Sequence, residues 1–580
     1  MKRILITIAA VFVFASCTMD FYRSDTMTSA MLGDNPAAAV YTTDGNYSML
    51  KDEVEYSNTR SGNDFARLYF LMHELRGDNV SLCAKSTDPL FEDLTYKDDP
   101  TKADLSYMWF ICYKIIYGCN ANIESMIENQ DAATDHLIGE NYFLRAFCHF
   151  TLCNLFATPY SRGPEKLGVV IRTSTDVSVT KRATVSEVYT QIVKDLQDAR
   201  RLMAKGTSRG NKGYASYDAA TGLLTRVYLY MGENQLCADL CDEMLAGSPF
   251  LDNVATYYAN TLNSEETLWC IGKSATDPSF LADGTPSGEL ASIYYTPEGT
   301  TVGWNEQGWS EPLIELIMRH PEDNRTAHFH QFAVLNDGKK MITYPLYDPD
   351  NNFRLQMSVR NVDFDETADV NTFTRSGVTY EVRSKKINGY PAYYITNMHS
   401  DDVDKDDIEG GTRCYVRNNA KEIAGFYSKV ATAPVYAMSK FSGQDGNPML
   451  SSPAIIRWAE IYLNRAEANA KLGGKDQEVL ADINKIRERA GIPTWKDAAH
   501  WQSEGYKDLL DVVLDERRLE LCFEGHRALD LYRNNRPIDR RFGGAQAYEI
   551  LTPDDLDTIF PYCIPFEETS VSQIPGNGKN

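Results

Sequence analysis

The chain has 580 residues, with 58 basic and 81 acidic side chains for a net charge of −23, and 43% of its residues are apolar. That charge excludes nucleic acid and anionic lipid surfaces as main partners, because both are bound by cationic neutralisation. The apolar content suffices for a large packed core, and 34 tyrosines, 24 phenylalanines and 7 tryptophans supply many rings that can pack or stack.

Met1-Lys2-Arg3 is a short basic n-region, and Ile4 to Ser16 is almost wholly apolar. At roughly 1.5 Å per residue this run reaches only about 20 Å, short of a hydrocarbon core of about 30 Å. It therefore reads as a signal h-region rather than a membrane span. It ends in Phe14-Ala15-Ser16-Cys17, which looks like a bacterial lipobox. The expectation is a signal peptide over 1–16, lipidation at Cys17 and a tether over 17–40, with an ordinary cleavage site nearby as the alternative. No later segment has the apolar length to span a bilayer, so the predicted membrane attachment is through lipid alone. With Cys17 set aside, an odd number of the 12 cysteines remains, without a Cys-x-x-Cys pair. Cys112, Cys119, Cys148, Cys153, Cys237, Cys241 and Cys522 fall in helical patterns among apolar neighbours. They are predicted to be free, buried thiols, a usage that fits an exported protein of an anaerobe.

From about 104 to 246 the apolar spacing is helical. Leu144, Phe147, Cys148, Leu152, Leu155 and Phe156 lie on one helix face. Tyr142, Ala146, Phe150 and Cys153 widen that face, and Asn141, Arg145 and His149 form the polar stripe. Thr184-Val185-Ser186-Glu187 is a capping box opening the helix that carries Val188, Ile192, Leu196 and Leu202. Another helix spans about 216–231 and turns at Gly232-Glu233-Asn234. After 453, Ala454 to Leu472 reads as a helix ended by Gly473-Gly474. Asp476 caps a second helix running to about Ala490, and a last long helix covers about 505–533. Such pairs are similar to tetratricopeptide repeats, although the spacing is irregular. Between 251 and 450 the periodicity gives way to loops and short β-rich runs such as Val378 to Val382. The predicted fold is mostly α, with a helical-pair scaffold over 41–250 and 451–580. A loop-rich, partly β ligand region is inserted over about 251–450.

Several stretches carry a family pattern. Gly45-Asn46-Tyr47-Ser48-Met49-Leu50 is similar to G-x-Y-x-x-L, and Leu144-Arg145-Ala146-Phe147-Cys148-His149-Phe150 to LRAF-x-x-F. Val188-Tyr189, Ile192, Asp195-Leu196 and Ala199 match the next helix, and Arg226-Val227-Tyr228-Leu229-Tyr230 the one after. Lys440-Phe441 stands where Lys-Tyr is usual. Arg457 to Ala468, then Ile483-Asn484, Ile486-Arg487 and Arg489-Ala490-Gly491, form the strongest match. Glu516-Arg517, Glu520-Leu521, Phe523-Glu524-Gly525, Arg527, Asp530-Leu531 and Arg533 follow ER…EL-x-FEG-x-R. Together these resemble the SusD/RagB family of outer-membrane nutrient-binding lipoproteins over nearly the whole mature chain. The tail departs from the pattern: Ile564-Pro565 and Glu568 are kept, but the end reads Gln573-Ile574-Pro575-Gly576-Asn577. The resemblance implies a SusD-like domain over 41–580, lipid-anchored and facing the cell exterior. It also implies a SusC-like TonB-dependent transporter as partner and an oligosaccharide as ligand, with peptide capture as in RagB-like members the alternative. It implies neither enzymatic activity nor a cofactor.

A sugar ring has an apolar C–H face and a rim of hydroxyls, so its recognition needs a flat ring to stack on and polar groups at the edge. Tyr294, Tyr295, Trp304 and Trp309 lie in a Gly- and Pro-rich segment, with Asn305, Glu306 and Gln307 between the tryptophans. They are the leading aromatic candidates, ahead of Phe91, Tyr96, Tyr390, Tyr393 and Tyr394. Asp44, Asn46 and Asp78, by family position, and Asn79 beside Asp78 are the polar candidates.

Other motifs are set aside. Gly206-Thr207-Ser208-Arg209-Gly210 fits G-x-S-x-G, but a helix precedes it where a nucleophile elbow needs a strand. Glu516, Glu520 and Glu524 lie four apart among arginines and read as a structural charge network rather than a glycosidase pair. Arg76-Gly77-Asp78 reads as an ordinary loop. His320, His328 and His330 lack a fourth zinc ligand and read as surface histidines. Asp402, Asp404 and Asp406 read as a solvated acidic loop, with a structural calcium as the alternative.

Overall fold

The computed structural model describes most of residues 36–577. Residues 1–35, 83–89, 278–289, 295–306, 333–339, 348–352, 396–427, 430–434, 543–549 and 578–580, with scattered positions near 60, 91–98, 207, 248, 364, 376 and 388, lie outside the described residues. Cys17, Phe91, Tyr295, Trp304, Asp402, Asp404 and Asp406 are among those outside.

Helix α1 (Pro36–Lys51) and helix α2 (Phe65–Glu74) lead to strand β1 (Val80–Leu82). Helices α3 (Ala103–Ser125), α4 (Ala132–Phe156), α5 (Val185–Met203), α6 (Tyr217–Met231) and α7 (Asn234–Leu245) follow. The capping box at Thr184 forms, and Gly232 takes a left-handed conformation (φ 78°) that ends α6 and opens the turn into α7. Helix α4 is enclosed further than its two apolar rows foretell: nearly every residue from Asp135 to Phe156 is buried, the polar stripe included. A buried arginine requires hydrogen-bond acceptors, and Arg145 forks onto the Asp195 carboxylate of α5 at 2.9 and 2.6 Å. The Asn141 carboxamide oxygen accepts from Asn46 and Asn122. The nine described cysteines are all free and buried.

The middle of the chain is richer in strand than its sequence foretells. After β2 (Thr267–Cys270) and β3 (Gln307–Trp309), β4 (Lys340–Tyr347) pairs antiparallel with β5 (Phe353–Val362). Strands β6 (Val370–Arg375), β7 (Val378–Ile387) and β8 (Tyr390–Ile395) form a meander with β7 central. The run predicted at Val378 to Val382 extends to Ile387 because β7 has a partner on each side.

Two helix boundaries differ from the sequence reading. Ala454–Arg457 is strand β9, paired with β2, and helix α8 begins only at Trp458 (Trp458–Leu472). The apolar run Ala454-Ile455-Ile456 suits either structure, and a strand partner far upstream in the chain decides it. The long helix expected over 505–533 is two, α10 (Leu509–Leu521) and α11 (Arg527–Arg533), preceded by α9 (Asp476–Ala490). The chain turns at Phe523 (φ 65°) and Gly525 (φ 79°). At Gly525 a Cβ would sit 3.2 Å from His73, so this left-handed, crowded position favours glycine.

That corner exists because Glu524 points inward. Arg457, at the mouth of α8, meets Glu266 at 3.0 Å, Glu520 at 2.6 Å and Glu524 at 2.8 Å, all buried. Arg489 joins Glu266 and Glu520, Arg325 joins Glu516 at 2.8 Å, and Lys440 reaches Glu524 at 2.9 Å. Burial alone would raise the Glu520 and Glu524 carboxyls, but the surrounding arginines and Lys440 outweigh it and hold both below the usual carboxylate range. A carboxylate so held is a poor general acid, and the structural-network reading stands, with Glu524 at the corner rather than on the helix.

Replacing one partner strands the other charges. Arg457→Met is expected to destabilise the protein by about 3–5 kcal/mol in urea unfolding. Arg201→Met, which breaks the exposed pair with Glu128, should cost about 1 kcal/mol or less. Equal losses from the two would contradict the network's role.

Candidate functional site

β1 and β3 pair antiparallel, Val80 opposite Trp309 and Leu82 opposite Gln307. This short ribbon ties the start of segment 83–98 to the end of segment 295–306, so the chain carrying Phe91 and the chain carrying Trp304 leave from one place. The rings at its base point inward. Trp309 is 1% exposed and Tyr294 0%. Both pack edgewise on Phe523, at 5.1 and 5.3 Å between ring centroids. The expectation that Trp309 and Tyr294 offer a stacking face is corrected: the α10–α11 corner already uses them, and a ring enclosed by core has no face left for a sugar.

Asp78 and Asn79 are corrected in the same way. The Asp78 carboxylate accepts from Arg527 at 2.8 Å and lies 3.4 Å from Arg518. Against the upward push of burial, these guanidinium groups bring its pKa down to about 2. Asn79 accepts from Arg518 Nε (2.8 Å) and donates to Glu74 Oε1 (2.8 Å). Arg76-Gly77-Asp78 is thus closed from outside. Tyr96 is buried too, its hydroxyl donating to the Arg76 carbonyl. The side chains of Tyr390, Tyr393, Tyr394 and His330 lie outside the described residues. His328 is not a surface histidine: it is buried, with Nε2 2.8 Å from the Val254 carbonyl. His320 faces Glu322 and Arg487. Among the described residues no group of three His, Cys, Asp or Glu side chains could hold a metal ion.

A second place is a cleft of ≈ 230 Å³ between α1, the 211–214 loop and the chain leaving β2. Asp44 and Tyr47 line it, as do Lys51, Tyr214 and Lys273. Asn46 is corrected: it lies on the buried face of α1, where its amide donates to Asn141 at 3.0 Å. Tyr214, Lys51 and Lys273 escape the sequence reading. Lys273 alone left a signal, as a lysine at the end of the apolar run Leu268–Ile271.

Comparison with known proteins now places the fold. The family model described as "SusD family" matches residues 257–554. The chain belongs to the SusD family. A second model, described as "Starch-binding associating with outer membrane", matches residues 23–229. SusD-like protein P2 of Formosa agariphila is 22% identical over 487 residues, 82% of this chain and 81% of its own length. A SusD superfamily crystal structure from Bacteroides thetaiotaomicron superposes with a TM-score of 0.65 at 22% identity, covering 94% of this chain and 99% of that one. A laminarin-binding SusD-like protein does so with a TM-score of 0.58 at 19% identity, covering 94% and 99%. The chain thus has the mostly α SusD fold, and no described helix is long and apolar enough to cross a membrane.

Glu74 lies beneath the β1–β3 ribbon, fully buried between the Asn79 amide and the Gly525 N–H. Burial raises its pKa to about 7, the hydrogen bonds offsetting only part of the effect. A carboxyl with a raised folded pKa stabilises fully below its unfolded value, near 4.5, and loses that contribution as pH rises through 7. The Glu74 contribution is therefore expected to fall between pH 5 and 7.5, opposite in sign to that of the buried His73 and His149, whose pKa values burial lowers to about 4 and about 3. Glu74→Gln should reduce that fall by up to about 3 kcal/mol, measured by denaturant unfolding at both pH values. An unchanged slope would contradict the assignment.

Proposed function

We propose that this SusD family chain is a non-catalytic, cell-surface glycan-binding lipoprotein. It captures an oligosaccharide through segments 83–98 and 295–306, which join at the β1–β3 ribbon, and delivers it to a SusC-like TonB-dependent transporter. The observation that carries this reading is the ribbon itself, which gathers segments 83–98 and 295–306 at one edge of a rigid scaffold. Those segments hold Phe91, Tyr295 and Trp304, with Asn305 and Glu306 between Trp304 and the ribbon, the mixture of rings and edge groups that a sugar requires. The buried Trp309, Tyr294, Asp78 and Asn79 anchor the ribbon at which those segments join. The words "starch-binding" in a matched family description and "laminarin binding" in the name of a structural neighbour point to the same ligand class. The inward-turned, arginine-neutralised Glu520 and Glu524 support binding without hydrolysis. The basic and apolar start ending in Cys17 supports a lipid anchor, and the family description supports the outer membrane.

Isothermal calorimetry across an oligosaccharide panel tests the reading. At least one glycan should bind, and Trp304→Ala should weaken it by about 2 kcal/mol, roughly thirtyfold. Silence across the panel with heat from peptides, or undiminished binding by Trp304→Ala, would contradict it.

A further inference from the structure

The cleft beside α1 is a separate place. Its Lys273 ammonium bonds Asp64 at 3.1 Å, and Asp64 caps the N-terminal end of α2. The β1–β3 ribbon follows the other end of that helix, whose 10 residues span about 15 Å. The cleft's walls are rigid. Tyr214 is held by the Arg209 guanidinium 3.8 Å from its ring centre and by the Tyr47 ring, perpendicular to it at 5.1 Å between centroids. Trp269 packs against Phe143 and Phe147, and its indole N–H donates to the Gly213 carbonyl at 3.3 Å.

The size and charge of the cleft select its occupant. A volume of ≈ 230 Å³ lies below the about 300 Å³ at which sites for drug-sized ligands begin, yet exceeds what a few waters of about 30 Å³ each would fill. Both lysines that line the cleft bring a carboxylate, Lys51 with Asp277 at 2.6 Å and Lys273 with Asp64, and Arg209 behind Tyr214 pairs with Asp44 at 2.7 Å. An anion bound at either lining lysine would displace an existing pair. A hydroxyl both donates and accepts, so it can bridge an ammonium and a carboxylate without breaking either pair. Tyr214 supplies apolar ring surface in the same wall, and the enclosed Trp269 backs that wall from the core.

We propose that this cleft is a second sugar site, taking one neutral hexose ring. Its C–H face would lie against Tyr214, and its hydroxyls would bond Asp44, Lys51, Asn211 and Lys273. The inference stands apart from the loop site and does not require it. With one ring and few ordered groups, affinity falls in the range of about 1–10 mM.

Saturation-transfer NMR on the full chain with glucose, galactose, mannose and glucuronate tests it. At least one neutral hexose should give ring-proton signals that Tyr214→Ala reduces at least tenfold. The half-exposed Lys51→Gln, which leaves the ring wall intact, should reduce them as strongly, and Trp304→Ala should leave them in place. Three results would overturn the proposal: no signal from any neutral hexose, signal from glucuronate alone, or signal that survives both cleft variants. Each can occur while calorimetry still shows oligosaccharide binding sensitive to Trp304→Ala, so this inference and the loop reading fail separately.

Discussion

Arg457 is buried with three glutamates around it, Glu266, Glu520 and Glu524, and a guanidinium out of water cannot be left unpaired. Those glutamates come from the start of β2, from α10 and from the corner after α10. A single side chain therefore fixes the relative placement of three segments that are remote in sequence. Arg489, Arg325 and Lys440 extend the lattice to the end of α9, to the 324–328 turn and to the segment after 438. The corner at Phe523–Gly525 follows from drawing Glu524 inward. Phe523, turned by that corner, is the surface on which Tyr294 and Trp309 close. The footing of the β1–β3 ribbon is set by the charge lattice around the corner.

The lattice is an expensive way to hold a fold, since buried ion pairs seldom outdo well-packed apolar side chains in stability. Its directional bonds instead make one arrangement of the segments much better than its neighbours. This suits a family whose relatives keep the architecture at 15–22% identity.

Most helices were legible because their signals are local. The Thr184 capping box, the Gly232 turn and the apolar rows of α4 each lie within a few residues, and the cysteines followed from their apolar neighbours. The failures share a different cause. Ala454–Arg457 is a strand because of a partner in β2, and the helical pattern through 522 gives no warning of a left-handed Phe523. Asp78 reads in sequence as a ligand-facing loop residue, but its fate is decided by Arg527, 449 positions away. Trp309 and Tyr294 have loop-like neighbours in sequence and core neighbours in space. A residue's composition window cannot reveal which face it will turn to a distant corner. Tyr214, Lys51 and Lys273 form a cleft only because α1, the 211–214 loop and the end of β2 converge.

The central claim is that a charge-locked scaffold stays still while segments 83–98 and 295–306, which join at the β1–β3 ribbon, take the ligand. Hydrogen–deuterium exchange with and without a bound oligosaccharide measures this most directly. The account predicts added protection confined to segments 83–98 and 295–306 and to the edges of the cleft, with α8 to α11 unchanged. Protection spreading through α8, α10 and the 522–526 corner, with none in those segments, would contradict it.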